Sequence, residues 1–186
     1  MIKLKIQYEQ RRYRLILYIK NSVKQLMEKR FDLVATGGTF DEIHAGHLAL
    51  LSKAFELCKS LIIGVTSDEF AIKRKDKNKI NHRYEERVAN LRNAIRENFG
   101  DVTYQISKLD NDYGPVILSA NVGALVASTE TAKKGDEINR IRYSKGLAPI
   151  EVITVDLVRA YDGKPISSSR IRSGEIDASG KKLKVI

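Results

Sequence analysis

Five short apolar segments alternate with helix-type patterns, and this alternation constrains the fold more than any other feature of the chain. The segments lie at residues 31–35, 61–65, 102–106, 122–127 and 152–157. Between the second and third, a helix starting at Asn81 and closed by Gly100 is predicted from one apolar stripe: Tyr84, Val88, Leu91, Ile95 and Phe99. Short buried strands separated by helices form βαβ units with parallel strands. The sequence therefore predicts an α/β fold, a doubly wound, Rossmann-like sheet of five parallel strands with helices on both faces.

The junction between the first strand and the first helix carries a candidate anion site. The strand ends at Gly37 and Gly38, and a helix begins near Gly46 with an apolar stripe at Leu48, Leu51, Phe55 and Cys58. Glycine leaves the main chain open to a ligand, and a helix N-terminus offers unpaired N–H groups with partial positive charge. His44 and His47 frame the helix start as H-x-G-H. The junction predicts a phosphate site with two ring donors.

A zinc site is the alternative at these histidines, because H-x-x-H spacing can present two ligands to a metal. The remaining candidate ligands, Cys58 and His82, stand alone in the sequence without the usual pairing. We therefore predict no dedicated metal site.

Three further polar segments follow strand ends. They are the lysine-rich stretch 73–79, the turn-rich stretch 110–115 and the stretch 128–131. In doubly wound sheets, ligands bind beyond the carboxyl ends of the strands, where the strand order reverses. We expect these segments to converge there. The lysine-rich stretch is either a solvated loop or a loop that places a lysine over bound phosphates.

A second phosphate motif is predicted near the end of the chain, where ISSSRIR spans residues 166–172. Three hydroxyls at a helix start are ordinarily caps. Together with H-x-G-H, they favour phosphate binding, and the planar guanidinium of Arg172 suits the same ligand.

These motifs resemble those of a known family. GGTFDEIHAGH is similar to the signature of the H-x-G-H nucleotidyltransferases, and ISSSRIR resembles the element with which their adenylyltransferases hold the β and γ phosphates of ATP. From Asp32 to about Asp177 the chain most resembles phosphopantetheine adenylyltransferase of the archaeal and eukaryotic type, with Thr129 departing from the family's usual carboxylate. The supporting stretches are IGVTSDEF, DYGP, STET and INRIR.

The resemblance implies transfer of the adenylyl group of ATP to 4′-phosphopantetheine, with in-line attack, no covalent enzyme intermediate and Mg²⁺ carried by ATP. It also implies three sets of site residues. The catalytic set is His44, His47, Thr39 and Lys73. The nucleotide-binding set is Gly37, Gly38, Thr39, Phe40, His47, Ser128, Glu130, Ile166, Ser167, Ser168, Ser169 and Arg172. The acceptor-binding set is Thr39, Lys73, Lys75, Tyr113 and Gly114.

The charge distribution argues against a nucleic-acid partner. Residues 1–30 hold nine Lys or Arg and two Glu, a net charge of +7, which leaves +3 for the other 156 residues. A nucleic-acid enzyme usually carries its basic stripe on the folded domain. We therefore predict a nucleotidyltransferase domain over 31–186 and a basic extension over 1–30, with a strand followed by a helix and a role still open.

The remaining expectations concern location, assembly and rival functions. The longest apolar run of the extension, Leu15–Ile19, is too short for a signal peptide or a membrane span, so a cytoplasmic protein is expected. We expect a monomer or a small homo-oligomer. Rival acceptors are flavin mononucleotide and nicotinamide mononucleotide, and a cytidylyltransferase is a rival although Gly163–Pro165 departs from its R-T-x-G element. A non-catalytic nucleotide- or RNA-binding module is the rival of another class.

Overall fold

A computed structural model describes residues 29–74 and 80–183 of the chain. Its five strands form one sheet in which all neighbouring strands are parallel, in the order β3-β2-β1-β4-β5. The chain winds outward from β1 to β3 and then returns to the other side of β1, so the order reverses between β1 and β4. The predicted doubly wound parallel sheet is confirmed. The strands are β1 Phe31–Gly38, β2 Cys58–Thr66, β3 Tyr104–Leu109, β4 Ala124–Ser128 and β5 Glu151–Val155.

Helices cover both faces of the sheet. Successive residues of β1 point to opposite faces, with Val34 in one apolar cluster and Ala35 in another. The Val34 cluster includes Leu51 of the helix Ala45–Leu57 and Leu91 of the helix Tyr84–Phe99, whereas the Ala35 cluster includes Ile138 of the helix Gly135–Ser144. Helices on both faces are therefore confirmed. The helices are α1 Ala45–Leu57, α2 Asp68–Arg74, α3 Tyr84–Phe99, α4 Gly135–Ser144 and α5 Ser168–Arg172, with 3₁₀ helices at Gly114–Ile117 and Ala132–Lys134.

Two predicted helix boundaries were wrong. Cys58 belongs to the core as the first residue of β2, paired with Phe31, and not to α1, which ends at Leu57. Helix α3 begins at Tyr84 rather than Asn81 because the N–H groups of Asn81 and His82 donate to the Asp41 carboxylate, at 3.1 and 3.0 Å. Periodicity cannot place a boundary that a distant side chain sets.

The predicted strand and helix of the extension lie outside the described residues, which begin at Lys29. The strand and the helix therefore stay predictions, and the role of the extension stays open. Within the described ranges, no helix is both long enough and apolar enough to cross a membrane.

The segment after β5 is held by a three-residue charge cluster around Arg170. One guanidinium nitrogen, Nη2, donates to Asp162 and to Glu175, both at 2.7 Å. The hydrogen bond from Arg170 holds the pKa of Glu175 below its ordinary value of 4.5. At Asp162, burial acts to raise the pKa of the carboxyl group. Hydrogen bonds from the Lys164 N–H and from Arg170 outweigh burial, so the pKa of Asp162 stays below its ordinary value.

This cluster predicts a specific pH dependence. A carboxylate whose pKa is lowered in the folded state stabilises that state at pH values above its ordinary pKa. This contribution is lost as the pH falls through the lowered pKa. Arg170→Met should therefore lower Tm at pH 7, and the difference from the unsubstituted protein should shrink below about pH 4. Thermal unfolding by circular dichroism between pH 7 and pH 3 measures it. A difference that stays constant to pH 3 would contradict the role of Arg170.

Candidate active site

A cavity of about 430 Å³ opens at the carboxyl ends of the strands. Every strand contributes to its wall, through Gly38 of β1, Thr66 of β2, Leu109 of β3, Ser128 of β4 and Val155 of β5. It therefore lies across the point where the strand order reverses, the usual ligand position in doubly wound sheets. Its volume is in the range of small-molecule sites.

Two paired glycines leave part of the cavity wall without side chains. Gly37 and Gly64 are register partners on the adjacent strands β1 and β2. A Cβ on Gly37 would lie 3.1 Å from the Gly64 carbonyl oxygen, and one on Gly64 would lie 2.6 Å from Leu109 Cδ1. Alanine therefore does not fit at Gly64 unless Leu109 moves. The Leu109 side chain packs over the buried Gly64, whereas Gly37 is exposed and its main chain is open to a ligand.

His44 and His47 line the cavity at the start of α1. His44 is the N-cap residue, and its Nδ1 accepts from the Gly46 N–H at 3.1 Å. In the neutral ring the proton is then on Nε2, which makes that nitrogen a donor. The two rings are stacked, with centroids 3.9 Å apart and planes inclined by 24°. The two stacked rings therefore lie side by side in the wall that the glycines also line.

Phe40 lies behind this pair. Its φ is +52°, in the left-handed region, and its side chain is fully buried. The Phe40 ring lies 4.9 Å from the His47 ring between centroids and covers Gly38. Phe40 is not a lining residue of the cavity. The structure thus places this predicted nucleotide-binding residue against His47.

The predicted serine motif is divided between the cavity and a buried ion pair. Ile166, Ser167 and Ser168 line the cavity, and Ser167 caps α5 by accepting from the Arg170 N–H. Ser169 and Arg172 do not line it. Arg172 donates to the Asp41 carboxylate at 2.7 Å and to the Ser169 hydroxyl at 3.0 Å. The guanidinium therefore joins α5 to the loop between β1 and α1.

The turn after β4 and Tyr113, one of the predicted acceptor residues, also line the cavity, whereas Gly114 does not. Tyr113 lines the cavity, and its hydroxyl donates to Glu137, which raises the Tyr113 pKa above 10. Gly114 follows at φ +54°, a conformation that favours glycine. Ser128 and Glu130, both predicted to bind the nucleotide, line the cavity. The Ser128 hydroxyl lies 3.0 Å from the Thr131 hydroxyl.

Neither of the predicted cationic residues that the structure describes, Lys73 and Arg172, lines the cavity. Lys73 is exposed on α2 and does not line the cavity, and Lys75 lies outside the described residues. Within the described part of the chain, Lys134 is the one lysine or arginine that lines the cavity, and its amine donates to Asp112. No group of three or more metal-ligating residues occurs in residues 29–74 and 80–183.

Comparison with known proteins decides the family. The sequence profile of the cytidylyltransferase-like family matches residues 35–174. The chain is 42% identical over 160 residues to phosphopantetheine adenylyltransferase of Methanothermobacter thermautotrophicus, which covers 86% of this chain and 94% of that protein. It is 41% identical over 157 residues to the protein of that name from Thermococcus kodakarensis, with 84% and 94% covered. The chain belongs to the phosphopantetheine adenylyltransferase family. The resemblance seen in its motifs is confirmed.

Solved structures agree with the fold. A crystal structure of a protein of unknown function from Archaeoglobus fulgidus superposes with a TM-score of 0.60 at 32% identity, over 66% of this chain and 88% of that chain. The lipopolysaccharide core biosynthesis protein of Thermoplasma volcanium gives a TM-score of 0.53 at 17% identity, over 67% of this chain and 95% of that chain. The second likeness supports the fold alone.

Several residues of this family member's site were missed by the sequence interpretation. Asp156, Leu157 and Val158 line the cavity directly after β5. The rule that ligand-contacting loops follow strand ends could have found them, as it found the glycine turn and the stretches 110–115 and 128–131. Asp41 lies in the predicted phosphate turn, residues 37–47, and Arg87 contacts this turn through the Thr39 carbonyl. Both are buried, and both gave no signal because their partners are distant in sequence.

Proposed function

We propose that this protein transfers the adenylyl group of ATP to 4′-phosphopantetheine, giving dephospho-coenzyme A and pyrophosphate. The observation that carries the proposal is the stacked His44–His47 pair in the cavity wall together with the exposed main chain of Gly37. Family membership adds the acceptor, since relatives that are 42% and 41% identical are named for that reaction.

The chemistry needs orientation more than covalent participation. A phosphate oxygen of the acceptor attacks the α-phosphorus of ATP, the bond from the α-phosphorus to the bridging oxygen breaks, and pyrophosphate leaves. No bond to the protein forms. His44, with its proton on Nε2, and His47 donate to phosphate oxygens as charge develops, and Thr39 orients the acceptor phosphate. The glycines let the nucleotide phosphates approach the main chain.

Two phosphate-bearing substrates also need cations. Because Lys134, the one cationic side chain among the described lining residues, is bonded to Asp112, the phosphates depend on cations from elsewhere. We assign this role to Lys73 and Lys75, with Mg²⁺ entering as part of the substrate MgATP. In this proposal Ser128, Glu130 and the serines 167–169 bind the nucleotide. Phe40 and Arg172 support it through His47 and Asp41.

The other end of the cavity suits the pantetheine arm. Leu125, Val116 and Ile138 give it an apolar wall next to Tyr113. Apolar walls with few polar groups favour a ligand that carries methyl and methylene groups. Tyr113 and Gly114 are therefore assigned to the acceptor.

The proposal predicts a strict requirement for the acceptor's phosphate. Pyrophosphate should be released from MgATP with 4′-phosphopantetheine, and release with pantetheine should stay at the background rate, because pantetheine lacks the attacking phosphate oxygen. A coupled pyrophosphate assay with equal concentrations of both acceptors measures this. Equal rates with the two acceptors would overturn the assignment.

The rival functions have less support. Flavin mononucleotide, nicotinamide mononucleotide and CTP fit the superfamily but not the names of the two relatives reported above. A non-catalytic nucleotide- or RNA-binding module does not require two stacked histidines at the cavity wall. The cytoplasmic location and a monomeric or small homo-oligomeric state are part of the same proposal.

A further inference from the structure

Arg87 is a fully buried cation on α3 that joins three segments around the phosphate turn. Its Nη1 donates to the Thr39 carbonyl at 2.6 Å, its Nη2 to the Thr66 carbonyl at 2.7 Å, and its Nε to the His82 carbonyl at 3.1 Å. Nη2 also donates to Asp68 at 2.8 Å. A buried charge is tolerated only with such complete bonding. Arg87 therefore fixes the main chain of Thr39.

Asp41, two residues after Thr39, is a buried acidic residue with 2% of its side chain exposed. Its carboxylate accepts from Arg172 at 2.7 Å and from the N–H groups of Asn81 and His82 at 3.1 and 3.0 Å. The position of Asp41 is therefore set by α5 and by the segment before α3.

Phe40 lies between Thr39 and Asp41, whose positions these contacts fix. A bulky side chain rarely adopts its φ of +52°, and such a conformation persists only where the surroundings hold it. Arg87 holds the preceding residue through a carbonyl, and Asp41 is held through its own carboxylate. The result is a Phe40 ring pressed against the His47 ring at 4.9 Å between centroids.

We infer that Arg87 and Asp41 are positioning residues that together form a clamp on the Thr39–Asp41 turn. The clamp holds Phe40 in its left-handed conformation and thereby fixes the His47 ring and the Thr39 side chain at the cavity wall. Neither clamp residue lines the cavity. Its catalytic consequence rests on the proposed function, whereas its effect on His47 does not.

Histidine ring signals in NMR spectra of the full chain test the clamp without any activity measurement. The chain has three histidines, so substituting His44, His47 and His82 by glutamine in turn assigns all ring signals. Phe40→Leu then gives the shift of the His47 signals when the neighbouring aromatic ring is lost. Arg87→Lys keeps the positive charge but removes the planar guanidinium with its several donors, and Asp41→Asn keeps the shape of the side chain but removes its negative charge. Both should move the His47 signals toward their position in Phe40→Leu.

A matched control separates the clamp from general loss of packing. Ile95 lies two turns beyond Arg87 on α3 and is 1% exposed. Ile95→Ala should lower Tm and leave the His47 signals in place. Unmoved His47 signals in folded Arg87→Lys and Asp41→Asn would overturn the clamp. If Arg87→Lys does not fold, Asp41→Asn alone decides.

Kinetics test the consequence. Displacement of a reacting group by about 1 Å costs about 10²-fold in rate, so Arg87→Lys should lower kcat by about 10- to 100-fold while the KM for ATP changes by less than about threefold. Ile95→Ala, assayed where it is folded, should keep kcat within about threefold of the unsubstituted protein. An unchanged kcat in Arg87→Lys would overturn the catalytic role of the clamp. Absence of adenylyl transfer by the unsubstituted protein would instead refute the proposed function and leave the NMR result to decide the clamp.

Discussion

His44→Ala and His47→Ala should each lower kcat for adenylyl transfer by about 10²- to 10³-fold, the range for losing one oriented donor to a developing charge. The two rings are stacked at 3.9 Å and line the cavity beside the bare strand ends. Substrate affinity should change much less than turnover, because the donated bonds strengthen as charge develops in the transition state. Steady-state kinetics with each substrate varied measure both effects.

The two histidines differ in one respect that refines this test. His44 also caps α1 through Nδ1, so His44→Ala should lose about 1 kcal/mol of stability in addition to its catalytic effect. His44→Asn retains a capping oxygen and should keep the stability while losing the ring donor. Tyr143→Ala, which removes an exposed aromatic ring that does not line the cavity, should change kcat by less than about threefold. A double His44, His47 substitution with near-normal turnover and unchanged circular dichroism would contradict the role of the pair.

Arg172→Ala should lower the free energy of unfolding by about 3 kcal/mol, the lower end of the range for breaking a buried ion pair. It leaves Asp41, which is 2% exposed, without its guanidinium partner. It should also weaken ATP binding by about 10-fold or more, the effect of losing about 1.4 kcal/mol. Helix α5, whose cap Ser167 and first residue Ser168 line the cavity, is joined to the phosphate turn through Arg172.

Calorimetric titration with ATP at two salt concentrations measures this effect. Arg96→Ala is the matched control, because it removes the same charge from an exposed position on α3 where the partner is Asn93. Charges outside the site act through fields that salt screens beyond about 8 Å, whereas Arg172 acts at contact range. The loss should therefore persist at high salt and should be absent in Arg96→Ala. A folded Arg172→Ala protein with unchanged ATP affinity at both salt concentrations would contradict the role of α5.

The fold and the general position of the site could be predicted because both depend on local patterns. Short apolar segments ending in turn residues locate the strands, and Gly37, Gly38 and the two histidines identify the phosphate turn. Parallel strands place their carboxyl ends at one edge, so the segments after them were expected to converge. Glu130 and Tyr113, which follow different strands, do line the same cavity.

The partners of charged side chains could not be predicted because they are set by contacts between distant segments. Arg172 and Asp41 are 131 residues apart, and nothing in a local pattern says that the guanidinium donates to this carboxylate. Arg87 borders the apolar stripe of α3, three residues after Tyr84 and four before Leu91, where a charged side chain is expected to reach solvent. It is instead fully buried, because the carbonyl oxygens of Thr39, Thr66 and His82 accept from its guanidinium. The placement of Phe40 against His47 follows from the same long-range contacts.

One competition experiment tests the central claim most directly. The protein is incubated with MgATP and equal concentrations of 4′-phosphopantetheine, pantetheine, flavin mononucleotide and nicotinamide mononucleotide, and the products are identified by mass spectrometry. A second mixture has MgCTP in place of MgATP. We predict that dephospho-coenzyme A is the dominant product with ATP, that pyrophosphate forms in equal amount, and that the CTP mixture yields little product. A dominant flavin or nicotinamide dinucleotide, a cytidylyl product, or no nucleotide transfer at all would contradict the proposed reaction.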